Sequence, residues 1–171
     1  FHTVVFTTEN EHIIYTVALS KSEDLVKWTP PRILTEKDQR VSCSSPGSVT
    51  RFNGQWILCL QTYPMPGHSR KDKKVRYGNE NKRNWIMRSD DLENWSEREL
   101  LKVMGPEVDP GPMIDPFIVE DKDEEGKWWC FFKRQGASYS YSYDLENWTY
   151  AGHTSAGENV CVWVENGEYL M

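Results

Sequence analysis

The 171-residue sequence lacks the features that would send it toward a membrane, a nucleic acid or a metal cluster. No stretch approaches the roughly 18 apolar residues that a membrane-spanning helix needs. Acidic side chains outnumber basic ones, for a net charge of −6, so the chain has no general electrostatic pull toward nucleic acid or an anionic membrane. Neither is expected as a partner. Cysteine is scarce: Cys43, Cys59, Cys130 and Cys161 are the four, and none stands in a C-x-x-C pair. A zinc or redox motif is therefore unsupported. Cys59 and Cys130 lie in apolar runs and read as buried free thiols. His2, His12, His68 and His153 show no ligand spacing. Amphipathic helical periodicity of useful length is also missing, and turn residues recur every ten residues or so, as in all-β folds.

Aromatic residues are plentiful, at 13% of the chain with eight Trp. Such a load suits a sheet protein with aromatic packing or a sugar-binding face. The chain begins and ends inside strand-like segments, Phe1 to Thr7 and Glu168 to Met171. It reads as a portion of a longer protein.

The strongest pattern is a repeat. Ser22-Glu-Asp24-Leu25-Val-Lys-Trp28 recurs as Ser89-Asp-Asp91-Leu92-Glu-Asn-Trp95 and as Ser142-Tyr-Asp144-Leu145-Glu-Asn-Trp148. The intervals are 67 and 53 residues, too long for a solenoid coil and right for a four-stranded propeller blade. Ser and Asp close a tight turn through local backbone hydrogen bonds, and Leu and Trp are expected to plug the gap between blades. Asn94 and Asn147 match the glycosylation pattern, but their place in this motif favours a structural role. Before each motif a short apolar strand meets a turn and an aromatic strand. Asn53-Gly54 and Asn166-Gly167 are the clearest such turns, since Asn-Gly between apolar runs marks a hairpin.

The expected fold is thus all-β: a five-bladed β-propeller of four-stranded antiparallel blades, with about three blades present. Its parts run from the end of blade one (1–40) through blade two (41–105) and blade three (106–152) to the start of blade four (153–171).

Repeat register locates a site. Propeller sites lie where inner strands converge on the central channel. Counting back nine residues from Gly54 and from Gly167 reaches Ser45 and Glu158, and counting back eleven from Gly126 reaches Asp115. Three equivalent strand-opening positions therefore carry Ser, Asp and Glu. Two carboxylates facing one cavity suit acid–base glycoside chemistry. The blade-one equivalent falls about ten residues before Phe1 by repeat alignment. Lys133 and Arg134 follow a blade-three strand and are candidates for sugar hydroxyls or plain surface charges. The segment from Pro64 to Arg83 reads as a long, functional type of loop. His68 within it is a candidate substrate contact, and Trp85 at its end either stacks on a sugar or wedges between blades. Ser45 lines the sugar site or simply makes a turn before Pro46. Asp121-x-Asp123-x-x-Gly126 faintly suggests a calcium loop but lacks the other ligands. It reads as a solvated hairpin tip, and no cofactor is expected.

These residues resemble the five-bladed propeller glycosidases, above all glycoside hydrolase family 43. The resemblance rests on the blade-end Ser-x-Asp-Leu-x-x-Trp, on Ile114-Asp115-Pro116 followed by the acidic hairpin Glu120 to Gly126, and on Glu158 ahead of Asn166-Gly167-Glu168-Tyr169. It covers nearly the whole chain. Here Glu158 is followed by Asn159-Val160, where the family has a small residue and then Pro. The resemblance implies an inverting glycosidase for arabinose- or xylose-containing polysaccharide, in a secreted or periplasmic setting. Within it Glu158 is the general acid, Asp115 tunes and orients that acid, and the base Asp precedes Phe1. An anionic Asp115 beside Glu158 would keep the latter protonated. A retaining fructosidase, a mannoside phosphorylase and a non-catalytic sugar binder are the alternatives. By the same resemblance the isolated chain, short of its base, is expected to be inactive.

Overall fold

A computed structural model describes residues 2–9, 12–35, 41–44, 47–64, 83–105 and 113–171. The described residues are all strand, turn and loop, without a helix. The strands fall into four antiparallel sheets. The first joins β1 (His2–Glu9), β2 (His12–Leu19) and β3 (Arg32–Ile33). The second contains β4 (Val41–Ser44), β5 (Val49–Phe52), β6 (Gln55–Pro64), β7 (Arg83–Ser89) and β8 (Glu99–Leu100). β4 and β5 share one edge of β6, pairing with its far and near halves as two parts of an interrupted strand. The third sheet is a four-stranded meander of β9 (Ile114–Glu120), β10 (Trp128–Lys133), β11 (Ala137–Ser142) and β12 (Thr149–Thr154). The fourth pairs β13 (Trp163–Glu165) with β14 (Glu168–Leu170).

Local chemistry explains the turns. Asn53 and Gly54 close β5 onto β6 with φ of 47° and 83°, and Asn166 and Gly167 repeat this at 52° and 80°. Both central residues of such a turn need positive φ, which Asn and Gly supply at least cost. The repeated motif is equally local. In each copy the Asp Oδ1 accepts the backbone N–H groups two and three residues on, at 2.7–2.9 Å. Each Leu then adopts a φ near +60°, and its carbonyl accepts the Trp indole N–H three residues later. In the second and third copies the Asn Nδ2 also donates to the Asp Oδ2, at 2.8 Å. That interior bond gives Asn94 and Asn147 a structural role.

Packing follows the two-residue period of the strands. On β6, Ile57 and Cys59 face the third sheet, where they join Ile118, Trp128, Cys130 and Phe132. Leu58 and Leu60 face the other way and join Val17 of the first sheet. A strand buried on both faces needs an unbroken apolar run, and Trp56 to Leu60 is one. The outer face of β10 carries Trp129 and Phe131, which meet Tyr141 and Tyr139 across the ladder at 5.8 and 6.0 Å. Cys59 and Cys130 are buried free thiols, and burial raises the Cys59 thiol to about 12.

The gap-plugging expected of the motif differs from copy to copy. Leu145 and Trp148 are buried in the core, whereas Leu25 is 77% exposed. The Asp and Trp hydrogen bonds that close the loop are present in each copy, so the loop forms with or without a neighbouring sheet. The sequence suggests a strand over the apolar segment from Val160 to Val164, but it pairs only from Trp163 onward. Asp121 is committed to the hairpin tip, as its sequence context suggests. Its Oδ1 accepts the Asp123 and Glu124 N–H groups at 2.8 Å, while its Oδ2 accepts the Trp129 indole N–H.

Candidate carbohydrate site

The second and third sheets meet closely at one end. A Cβ on Gly47 would lie 1.7 Å from the Pro116 carbonyl oxygen, so only glycine admits this approach. Beside it, the Ile118 N–H of β9 donates to Ser48 Oγ at 2.7 Å. Asp115 sits at this junction, as the second residue of β9.

A bulge aims its side chain. Phe131 pairs with Phe117, but Lys133 pairs with Ile114. Asp115 and Pro116 therefore oppose Phe132 alone. Such an extra residue re-aims side chains and breaks the ladder. Asp115 has a φ of 57°, a left-handed conformation that Asp tolerates better than most residues. Its N–H has a partner outside the ladder, the buried Gln61 Oε1 of β6.

The loop from β12 to β13 brings the second acid. Ala137 N–H donates to the Ala156 carbonyl, which ties this loop to the β10–β11 hairpin. Glu158 lies at a bend five residues ahead of β13 and does not open a strand. The reason is the next residue: Asn159 turns into positive φ, at 55°, and donates its N–H to Asp115 Oδ2 at 3.2 Å. That contact pulls the loop toward β9 before the strand can start. Glu158 Oε1 in turn forms an ion pair with Lys133 Nζ, and both side chains remain partly open to solvent.

Asp115, Lys133, Glu158 and Asn159 thus occupy one rim of the third sheet. Burial raises the Asp115 carboxyl above its ordinary value; the Asn159 N–H, the Lys133 charge and the Gln61 carboxamide act in the opposite direction.

The other sequence candidates fall elsewhere. Trp85 is half-buried on β7, packed in the cluster between the first and second sheets. Its indole N–H donates to Thr62 Oγ1 at 3.0 Å and Arg98 covers its ring. Ser45 and His68 lie outside the described residues. Among the described residues no three His, Cys, Asp or Glu side chains gather to hold a metal ion. Gln61 was not singled out by sequence, because a Gln in an apolar strand carries no motif. The only signal was its polar character at the end of the run Trp56 to Leu60.

No family model matches the chain, and no curated protein matches it. Solved structures do match it. An α-L-arabinanase of Penicillium chrysogenum, solved with arabinobiose, is 15% identical at a TM-score of 0.63, over 97% of this chain and 50% of its own. A glycosyl hydrolase from Bacteroides ovatus is 12% identical at a TM-score of 0.56, over 90% and 45%. A structure from the GH130 family of mannoside phosphorylases, described as containing hydrolases that target β-1,2 mannosidic linkages in Candida mannan, is 14% identical at 0.52, again over 90% and 45%. The chain spans about half the length of the structures it matches. At these identities the likeness establishes the fold: antiparallel sheets arranged as in propeller glycoside hydrolases.

Proposed function

We propose that this chain is part of a five-bladed propeller glycoside hydrolase that inverts at the anomeric carbon, most like family 43. The observation that supports it is the meeting of Asp115 with the Glu158 loop. These two acids stand 43 positions apart in sequence, yet the Asn159 N–H bonds Asp115 while Lys133 bonds Glu158 at the same rim. An inverting site needs one carboxyl that donates a proton to the leaving oxygen and another that activates water across the sugar ring. Glu158 is assigned the proton donor. Asp115 orients its loop and, as an anion, favours the protonated acid. Lys133 exchanges its contact with Glu158 for sugar hydroxyls when substrate arrives, which frees the acid. Arabinose- and xylose-containing polysaccharides or their oligomers are the proposed substrates.

The test uses the complete protein with aryl arabinofuranosides and xylosides. Glu158→Ala and Asp115→Ala are each expected to lower kcat by at least about 100-fold, in line with the loss of a general acid–base group. Near-wild-type hydrolysis by either variant sinks the assignment. NMR of the first-formed product separates inversion from a retaining fructosidase. Phosphate dependence would mark a mannoside phosphorylase, and sugar binding without turnover a non-catalytic propeller.

A further inference from the structure

We propose that Gln61 is a positioning residue for Asp115, holding it from the neighbouring sheet. The face of β6 that packs against the third sheet begins apolar, with Ile57 and Cys59, and ends at Gln61. Gln61 is fully buried, and so is Asn84, its direct partner across the ladder on β7. Burying two carboxamides at the end of an apolar interface is costly unless they are hydrogen-bonded. Asn84 leaves both side-chain amide atoms without a partner. Gln61 spends its oxygen on the N–H of Asp115.

That N–H is the one the bulge strands. A bulged residue loses its ladder partner, and Asp115 also holds a left-handed φ. The Gln61 oxygen supplies the missing acceptor and fastens this conformation to β6. The Gln61 side chain also favours the ionised form of the Asp115 carboxyl. The aim of the Asp115 carboxylate, and through it the Asn159–Glu158 loop, is therefore set by a residue 54 positions upstream on another sheet. The charged groups facing Asp115 are Lys133 of β10 and, through Lys133, Glu158. Gln61 itself does not titrate. The catalytic part of this inference rests on the proposed glycosidase function; the positional part does not.

The experiment compares Gln61→Met, of similar length and without an acceptor, with Asn84→Leu in the same interface. Carboxyl-detected NMR follows the Asp115 titration, with Asp115→Asn to assign the resonance. Gln61→Met is expected to shift the Asp115 midpoint upward and to lower kcat by about 10- to 100-fold, the scale of a small misplacement, with KM within about threefold. Asn84→Leu is expected to leave the midpoint in place. Should Gln61→Met not fold, Gln61→Asn, which shortens the reach by one methylene, is read in the same way. Two outcomes overturn the inference: an unmoved Asp115 midpoint in the Gln61 variant, or an equal movement in Asn84→Leu. A wild-type protein without glycosidase activity would end the functional reading, and the NMR titration would still decide the role of Gln61.

Discussion

Replacing Gly47 by alanine tests the junction on which the site is built. The new Cβ would lie 1.7 Å from the Pro116 carbonyl oxygen and 2.9 Å from its carbon. A C···O contact settles at about 3.3 Å, so β9 and the β4–β5 corner must part by roughly 1.6 Å. Backbone stands on both sides, so no side chain can swing clear. The Ser48–Ile118 hydrogen bond, now 2.7 Å, is stretched past its useful range. Overpacking of this kind costs about 1–3 kcal/mol, and an orphaned buried N–H adds about 1–3 kcal/mol. With a middle value of about 4 kcal/mol, and about 2–4 °C per kcal/mol for a domain of this size, Tm should fall by at least about 8 °C. Gly54→Ala is the control. Its Cβ meets nothing within 4 Å, leaving only the positive-φ penalty of about 1–2 kcal/mol. Thermal and urea denaturation of both variants supply the measurement. A Gly47→Ala protein within 2 °C of wild type, a threshold of roughly 1 kcal/mol, or one more stable than Gly54→Ala, refutes the close-approach argument.

The remaining predictions concern charge. Asp24, Asp91 and Asp144 are each held below the ordinary carboxylate value. The leading cause is the Lys27 N–H for Asp24, the Asn94 N–H for Asp91 and the Asn147 side chain for Asp144. A depressed folded pKa contributes stability above the unfolded value, about 3.9, and loses it as pH falls toward the folded one. Tm should hold against these groups from pH 7 to 5 and decline below about pH 4, with a shallower decline in Asp144→Asn. Lys133→Met removes a charge that lowers the Asp115 value. The Asp115 midpoint should therefore rise, and the acid limb of the pH–rate profile should move up with it. A downward movement would contradict the placement of Lys133.

Much of this protein was legible from local chemistry. The Ser-x-Asp-Leu-x-x-Trp loops satisfy their hydrogen bonds within seven residues, so their residue types alone determine them. The same holds for Asn53-Gly54 and Asn166-Gly167, whose positive φ is a property of Asn and Gly. Because these loops and turns recur, their register pointed to Asp115, which lies near the start of β9, and to Glu158, which lies at a bend instead of a strand start.

Tertiary structure decided what those residues meet. The bulge at Asp115 arises where β9 is pressed against Gly47 and held by Gln61, contacts made across 69 and 54 positions. Glu158 leaves the strand register because Asn159 bonds Asp115. Its ion pair with Lys133 exists only once the hairpin and the loop share a rim. Leu25 and Leu145 share motif and backbone conformation, yet one is exposed and the other buried. Local hydrogen bonds specify a loop completely, while burial and charge pairing depend on which sheet lies next to it. The sequence by itself therefore determined the repeat and the turns and picked out the two acids. Tertiary contacts decided the rest: the second sheet fixes Asp115 through Gln61, and Asn159 and Lys133 fix where Glu158 lies.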